Sequence, residues 1–277
     1  MIVGYHAAGL LYHDPVFAVR ELANIGYASV AIRPHGASLN PDSPNFGQQV
    51  LRLGDAIAKA AVRCVLDLDS PYLPDPRNAR GPSLVSTEAA DADAAQQWIA
   101  TWIEVSDELG AELITFSSGS WGKSEEERDE RMLERLSTQL RSLSDKASRK
   151  GVRLALHPRS GDAVATVAQF ERLGQWLDDD GALLLAADIG EMLTGGELPL
   201  ADRLARNFDQ LACVYLCDRR AGASGDQRIG QGDVALGRIL QSLGGHSFQG
   251  HVIARVEGHC ELGFTPAREA IQIFHGR

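Results

Sequence analysis

Eight times along this chain a short apolar run is followed by a stretch of helical periodicity, and that alternation restricts the fold more than any other feature. The runs fall at 2–6, 28–33, 62–68, 111–116, 152–157, 182–188, 211–217 and 251–257. Near-continuous apolar strands separated by amphipathic helices are the pattern of parallel βα units, whose helices cover the strands from outside. In the stretch 123–149, Met132, Leu133, Leu136, Leu140, Leu143 and Ala147 share one face while Glu and Arg occupy the other. Asp14-Pro15 puts proline in a first helical turn, and Ser124 followed by Glu125, Glu126 and Glu127 suits the positive end of a helix dipole. Gly26, Gly110 and Gly151 stand where helices should stop. No composition break or low-complexity linker interrupts the series. Residues 1–277 therefore read as one α/β domain, a (β/α)8 TIM barrel, long enough for a large core. An open doubly wound sheet is the alternative, and the count of eight favours closure.

Charge and cysteine usage narrow the partners. A formal net charge of −10 repels phosphate backbones and acidic membranes, so neither nucleic acid nor a membrane is expected as a partner. Cys64, Cys213, Cys217 and Cys260 make neither a disulfide framework nor a zinc-module spacing, and read as reduced thiols. The first residues lack a basic region followed by an apolar stretch, and no apolar run approaches the roughly 20 residues of a membrane span. The expectation is a cytoplasmic protein with a small-molecule substrate, and these features allow a homodimer.

Function should sit where consecutive strands end, because the carboxyl ends of barrel strands converge on one mouth. Four late runs end in reactive side chains: Leu154-Ala155-Leu156-His157, Leu183 to Asp188, Leu211 to Tyr215 and Val252 to Glu257. Buried strands seldom end in unpaired carboxylates, which singles out Asp188 and Glu257. Inward-facing positions two residues earlier are Ala155, Ala186, Cys213 and Arg255. Three of these are small, so Arg255 is expected to lie across the floor of the site, with Asp67 and Glu257 as partners. On the early strands, His6 and Arg33 are placed to contact substrate hydroxyls or carboxylates. Arg219 suits an anionic or hydroxylated ligand through bidentate hydrogen bonds. Ser117-Ser118-Gly119-Ser120-Trp121 offers small donors and a ring that could stack on a sugar face. Two long connections, 69–82 with four prolines and two arginines and the glycine-rich 218–233, are candidate lids. No nucleophile elbow, phosphate loop, dinucleotide fingerprint or His-Glu-x-x-His helix is present.

The succession Ala187-Asp188-Ile189-Gly190, Tyr215-Leu216-Cys217-Asp218-Arg219, Gly230-Gln231-Gly232-Asp233-Val234 and Gly250 to Val256-Glu257 resembles the xylose isomerase-like barrel superfamily. That superfamily comprises sugar phosphate isomerases, epimerases and family 2 apurinic endonucleases. The resemblance implies one divalent cation, Mn, Mg, Zn or Co, held at the mouth by a Glu, an Asp, a His and a second Glu from strands five to eight. Carried over by position, these fall on His157, Asp188, Tyr215 and Glu257. Only Asp188 and Glu257 keep the family's residue type, and Glu191 stands where the family has a substrate-contacting His. Imidazole and two carboxylates still form an adequate shell, so His157, Asp188 and Glu257 are the candidate metal ligands. Tyr215 reads as a ligand, a proton donor or a substrate clamp.

The activity so implied is a sugar isomerase, epimerase or related lyase acting on a small polyhydroxylated carbonyl compound by proton transfer. Glu257 and His157 form its acid/base pair. A metal-free barrel that binds a sugar-like ligand without turnover is the rival reading, motivated by the substituted ligands and by Arg255. An apurinic endonuclease needs more His and carboxylate ligands than this chain offers, and the acidic charge disfavours it.

Overall fold

The computed structural model describes residues 1–121, 130–177, 183–220, 222, 223 and 225–275. Eight parallel strands close into a barrel in sequence order. They are β1 Ile2–His6, β2 Ser29–Ile32, β3 Arg63–Asp67, β4 Ala111–Phe116, β5 Arg153–Leu156, β6 Leu183–Asp188, β7 Leu211–Leu216 and β8 His251–Ala254. The helices between and after them are α1 Pro15–Ile25, α2 Phe46–Ala60, α3 Ala89–Glu104, α4 Ser106–Leu109, α5 Glu130–Lys150, α6 Val167–Gly174, α7 Ile189–Thr194, α8 Leu200–Arg206, α9 Leu236–Gly245 and α10 Thr265–His275. Closure falls between β1 and β8, where Gly4 pairs with Ile253 and Tyr5 with Ala254. All eight strands of this (β/α)8 architecture fall within the expected runs, but β8 stops at Ala254, short of the expected 257, so Arg255 and Glu257 follow the strand.

Local sequence explains the helix ends. The Asp14 carboxylate accepts from Phe17 N at 3.1 Å and caps α1, with Pro15 in its first turn. Gly26, Gly110 and Gly151 follow helices with φ of 112°, 68° and 69°, conformations that cost an L side chain a steric penalty. The six apolar residues assigned to one face of α5 are all buried. The Ser124 and Glu125–Glu127 start signal lies outside the described residues. None of the described helices is long and apolar enough to cross a membrane. Among the described residues the four cysteines form no disulfide.

Strand alternation splits the interior in two. Val30, Ile32, Cys64, Leu66, Ile114, Leu154 and Leu185 point outward and pack in one core with the helices. Ala31, Val65, Leu113, Ala155, Ala186, Cys213, Tyr215 and Ile253 point inward and form the barrel's own core. The small side chains of Ala31, Ala155, Ala186 and Cys213 leave room that Tyr215 fills. Its hydroxyl reaches Thr115 Oγ1 at 2.6 Å, with the phenol fully buried. In register, Tyr215 pairs with Ile253 of β8, which places Arg255 one inward-facing layer nearer the mouth. Tyr215, not Arg255, is the floor of the site.

Candidate active site

Above Tyr215, ionisable side chains from six strand ends and the loops that follow them form one continuous chain of ion pairs. It begins at β1. His6 is fully buried; Ala8 N donates to its Nδ1 at 3.1 Å, so Nε2 carries the proton and donates to Asp67 Oδ2 at 2.9 Å. Burial keeps this imidazole neutral by lowering its pKa, against the hydrogen bond to Asp67. Arg33, the residue after β2, donates through Nε and Nη2 to the same Asp67 oxygen at 2.8 and 2.6 Å. Its Nη1 lies 2.9 Å from Glu257 Oε1. Burial works against the Asp67 carboxylate, but Arg33 and His6 outweigh it and hold its pKa well below the usual carboxylate range.

A second branch starts at β5. His157 places Nδ1 2.8 Å from Asp69 Oδ2 and Nε2 3.6 Å from Asp188 Oδ2, and is 1% exposed. Burial opposes protonation of this ring, but its bonds to Asp188 and Asp69 prevail and raise the pKa to about 9. At neutral pH it is an imidazolium. Arg159 Nη1 lies 3.2 Å from Asp69 Oδ1. Burial again raises and Arg159 lowers the Asp69 pKa, to about 2.

The branches meet at Asp188, the last residue of β6. Its Oδ1 accepts from Glu191 N at 3.0 Å, capping α7, and from the Cys217 thiol at 3.4 Å. Its Oδ2 contacts Arg255 Nη1. The Arg255 side chain is 9% exposed; its Nε is 3.7 Å from both Asp226 Oδ2 and Glu257 Oε1, and its guanidinium carbon is 5.8 Å from the Tyr215 ring centre. Arg255 is therefore buried and paired, with Glu257 as expected but with Asp188 in place of Asp67, which belongs to Arg33. Glu257 is 38% exposed, against 6% or less for Asp67, Asp69, Asp188 and Asp226. Burial notwithstanding, Arg33 and Arg255 lower its pKa, so it stands at the open end as a carboxylate.

The other sequence candidates are placed as follows. Tyr215 lies under the mouth, its ring centre 5.3 Å from that of His157 and 5.7 Å from that of His6. Arg219 pairs through Nε with Asp226 Oδ1 at 3.0 Å and lies over Gly190, where a Cβ would come within 2.8 Å of that nitrogen. Glu191 accepts from Ser160 N at 2.8 Å, tying α7 to the loop after β5. Trp121 is buried and lines a cleft with Arg80, Ser83, Asp91 and Ser120, none of which belongs to the ionic chain. The structure brings together His6, Arg33, His157, Asp188, Tyr215, Arg255 and Glu257, with Arg219 joined through Asp226, and leaves Trp121 apart.

Alternation along β3 carries Asp67 and Asp69 toward the mouth, but His6 and Arg33 were preferred to them as substrate contacts; Arg159, two residues beyond His157, is found by the same period of two. Asp226 sits in the glycine-rich loop and carries no such signal. Asp218 organises that same loop, accepting from Gly230 N, Gly232 N and Val234 N at 2.9, 2.8 and 3.2 Å.

A closed parallel barrel with its ionisable residues gathered at the carboxyl ends of the strands defines a TIM-barrel protein with a polar site at the usual mouth. The chain belongs to the xylose isomerase-like TIM barrel family, whose profile matches residues 19–275. A search of curated protein sequences returns no match. Among solved structures, it is similar to the apo 3-keto-D-glucoside 4-epimerase of E. coli, with a TM-score of 0.73 and 17% identity over 100% of this chain and 98% of that one. It is also similar to L-ribulose 3-epimerase, with a TM-score of 0.77 and 14% identity over 99% and 93%. The D-psicose 3-epimerase of Clostridium cellulolyticum H10, solved with D-tagatose, gives 0.77 and 14% over 100% and 98%. At these identities the likeness is one of fold.

Whether the residues present fit a divalent cation can be tested on their bonding. Asp67, Asp69 and His157 each bring a ligand atom within 4.8 Å of the others, a grouping of the kind that can hold an ion. Asp67 Oδ2, however, already accepts from His6 and Arg33, and Asp69 lies at ion-pair distance from Arg159 and His157, although Asp69 Oδ2 and both ring nitrogens of His157 are buried without a hydrogen bond. The sequence-derived set of His157, Asp188 and Glu257 fares no better, because Arg255 lies against Asp188 and Arg33 against Glu257. A dication 4 Å from a guanidinium is opposed by about 8 kcal/mol even at an effective dielectric near 20. The donor set does not fit a divalent cation at either grouping.

Proposed function

We propose that this chain is a sugar isomerase or epimerase-like enzyme that moves a proton on a small polyhydroxylated carbonyl compound, with Glu257 as the base. The observation that carries this reading is Glu257 itself: an ionised, 38% exposed carboxylate at the open end of an otherwise buried ionic chain. A substrate carbonyl and its neighbouring hydroxyl would accept hydrogen bonds from the Arg33 and Arg255 guanidiniums beside that carboxylate. Proton removal next to the carbonyl generates an enediolate, and two fixed cations stabilise its charge in a site already organised for it. His157, paired with Glu257 as a second acid/base by its sequence position, is enclosed by Asp69 and Asp188. As an imidazolium it acts as a positioning cation for Asp188 and does not reach substrate. A single exposed base that removes and returns the proton on one face suits isomerisation; epimerisation needs a second acid on the opposite face.

The test is exchange of substrate C–H hydrogen with solvent deuterium, followed by NMR over a panel of ketoses and aldoses. Glu257→Gln is expected to slow exchange by roughly 10²- to 10⁴-fold while the fold persists. Unaltered exchange removes Glu257 as the base. The second reading, a barrel that binds a sugar-like ligand without turnover, is favoured by the grip of two guanidiniums on Glu257, which weakens it as a base. Saturable ligand binding without exchange in the wild-type protein would select it.

A further inference from the structure

We infer that the guanidinium of Arg255 occupies the cation position of this barrel mouth, so that the chain holds ligand oxygens with arginine and binds no divalent metal there. The inference rests on the proposed proton-transfer reading only for what the ligand is. Its own ground is the geometry around one side chain. Arg255 approaches Asp188 through Nη1, and Asp226 and Glu257 each at 3.7 Å through Nε, so three carboxylates from three different segments converge on one planar cation. The Tyr215 ring closes it from beneath at 5.8 Å. Asp188 turns Oδ2 to Arg255 because its Oδ1 is held by Glu191 N and the Cys217 thiol.

The charges agree with that placement. Arg33, Arg159, Arg219 and Arg255 are spread so that each of Asp67, Asp69, Asp188, Asp226 and Glu257 lies within ion-pair distance of a guanidinium. With a guanidinium already against every carboxylate, a dication would have to enter beside a fixed positive charge. A guanidinium also imposes a different preference on the ligand. It offers coplanar N–H donors instead of an open coordination shell, which suits the two oxygens of a hydroxycarbonyl group and leaves a chelating agent nothing to remove.

The experiment is a Mn²⁺ titration, followed by calorimetry and by the thermal midpoint, of protein purified without chelator. Wild type is expected to show no binding below millimolar concentration and no Mn²⁺-dependent shift in midpoint. Arg255→Glu, which puts a carboxylate beside Asp188 and His157, is expected to bind Mn²⁺ at least 100-fold more tightly and to gain thermal stability from it. Arg255→Gln keeps a polar, though shorter, side chain and removes the charge; it is expected to move the same way by a smaller factor, and it carries the test should the first variant not fold. Stoichiometric micromolar binding of Mn²⁺ by wild type overturns the inference, as does a folded Arg255 variant with no gain in affinity. Neither result depends on turnover, so failure here leaves the Glu257 exchange assay free to stand or fall separately.

Discussion

Arg255 and Asp188 are each buried to a degree at which a lone charge is not tolerated, and the stability of the mouth follows from that mutual dependence. Removing one member of a buried pair leaves the other without its compensating charge and costs about 3 to 5 kcal/mol. Arg255→Ala is therefore expected to lower stability by that amount in urea denaturation, whereas Arg219→Ala, whose side chain is 28% exposed, should cost about 1 kcal/mol or less. Equal losses from the two substitutions would contradict the assignment of Arg255 as the central cation. At this scale the sequence named the residues but not the pairings. His157, Asp188, Arg255 and Glu257 were legible as inward-facing strand ends. That Arg33 takes Asp67 and Arg255 takes Asp188 was not, since period two says which way a side chain points and nothing of its height.

Two close contacts fasten neighbouring elements to one another. α2 packs so tightly on α4 that a Cβ at Gly54 would lie 2.0 Å from the carbonyl oxygen of Glu108. Alanine normally gains up to about 1 kcal/mol over glycine within a helix. Here the overlap with backbone should reverse the sign, and Gly54→Ala is expected to destabilise by about 1 to 3 kcal/mol in the same denaturation assay. The connection after β3 is fastened across the mouth by Arg80, whose Nη2 donates to Ser160 O and to Asp162 Oδ1, both at 2.6 Å. Asp162 is 1% exposed, and burial, against the pull of Arg80, raises its pKa to about 6. Loss of this tie is expected to open the loop locally. Arg80→Ala should be cut several-fold faster by protease within 70–81, the change expected from about 1 kcal/mol of local closure, with little movement of the thermal midpoint. An unchanged cleavage rate would show that the prolines alone hold the loop. That proline and arginine stiffen this connection was readable from composition; where Arg80 lands, some eighty residues onward, was not.

Across the whole molecule the histidines set opposing slopes of stability with pH. His157 has its folded pKa raised from 6.5 to about 9, so its contribution is complete below pH 6.5 and is lost as pH rises through 9. A shift of that size corresponds to about 3 kcal/mol. His251, lowered to about 4 mainly by burial, works the other way, as does His6: their contributions are present above 6.5 and are lost as pH falls. The contribution of these histidines to stability should therefore peak near pH 6.5. The thiols of Cys64, Cys213 and Cys217, pushed up by burial, add a further loss only above the ordinary cysteine range of about 8.5. Urea midpoints measured from pH 5 to 9 for wild type and His157→Gln separate these effects. The variant is expected to lose most of the decline between 6.5 and 8.5, and an identical decline in both proteins would refute the imidazolium.

Eight apolar runs, with helix signals such as Asp14-Pro15 and Gly26 between them, determined a parallel βα chain, favoured its closure as a barrel and marked the end of it that carries chemistry. These are properties of neighbouring residues, written in periods of two and 3.6 that a linear chain displays directly. Which carboxylate meets which arginine was decided only by tertiary structure. Asp188 and Arg255 are 67 positions apart, and their contact follows from the registers of β6 on β7 and β7 on β8. A displacement of one inward-facing layer would put Arg255 on the floor and leave its place against Asp188 empty. Coulomb pairing changes over a few ångströms, and the stagger that fixes those ångströms is a property of the closed sheet, absent from any of its strands.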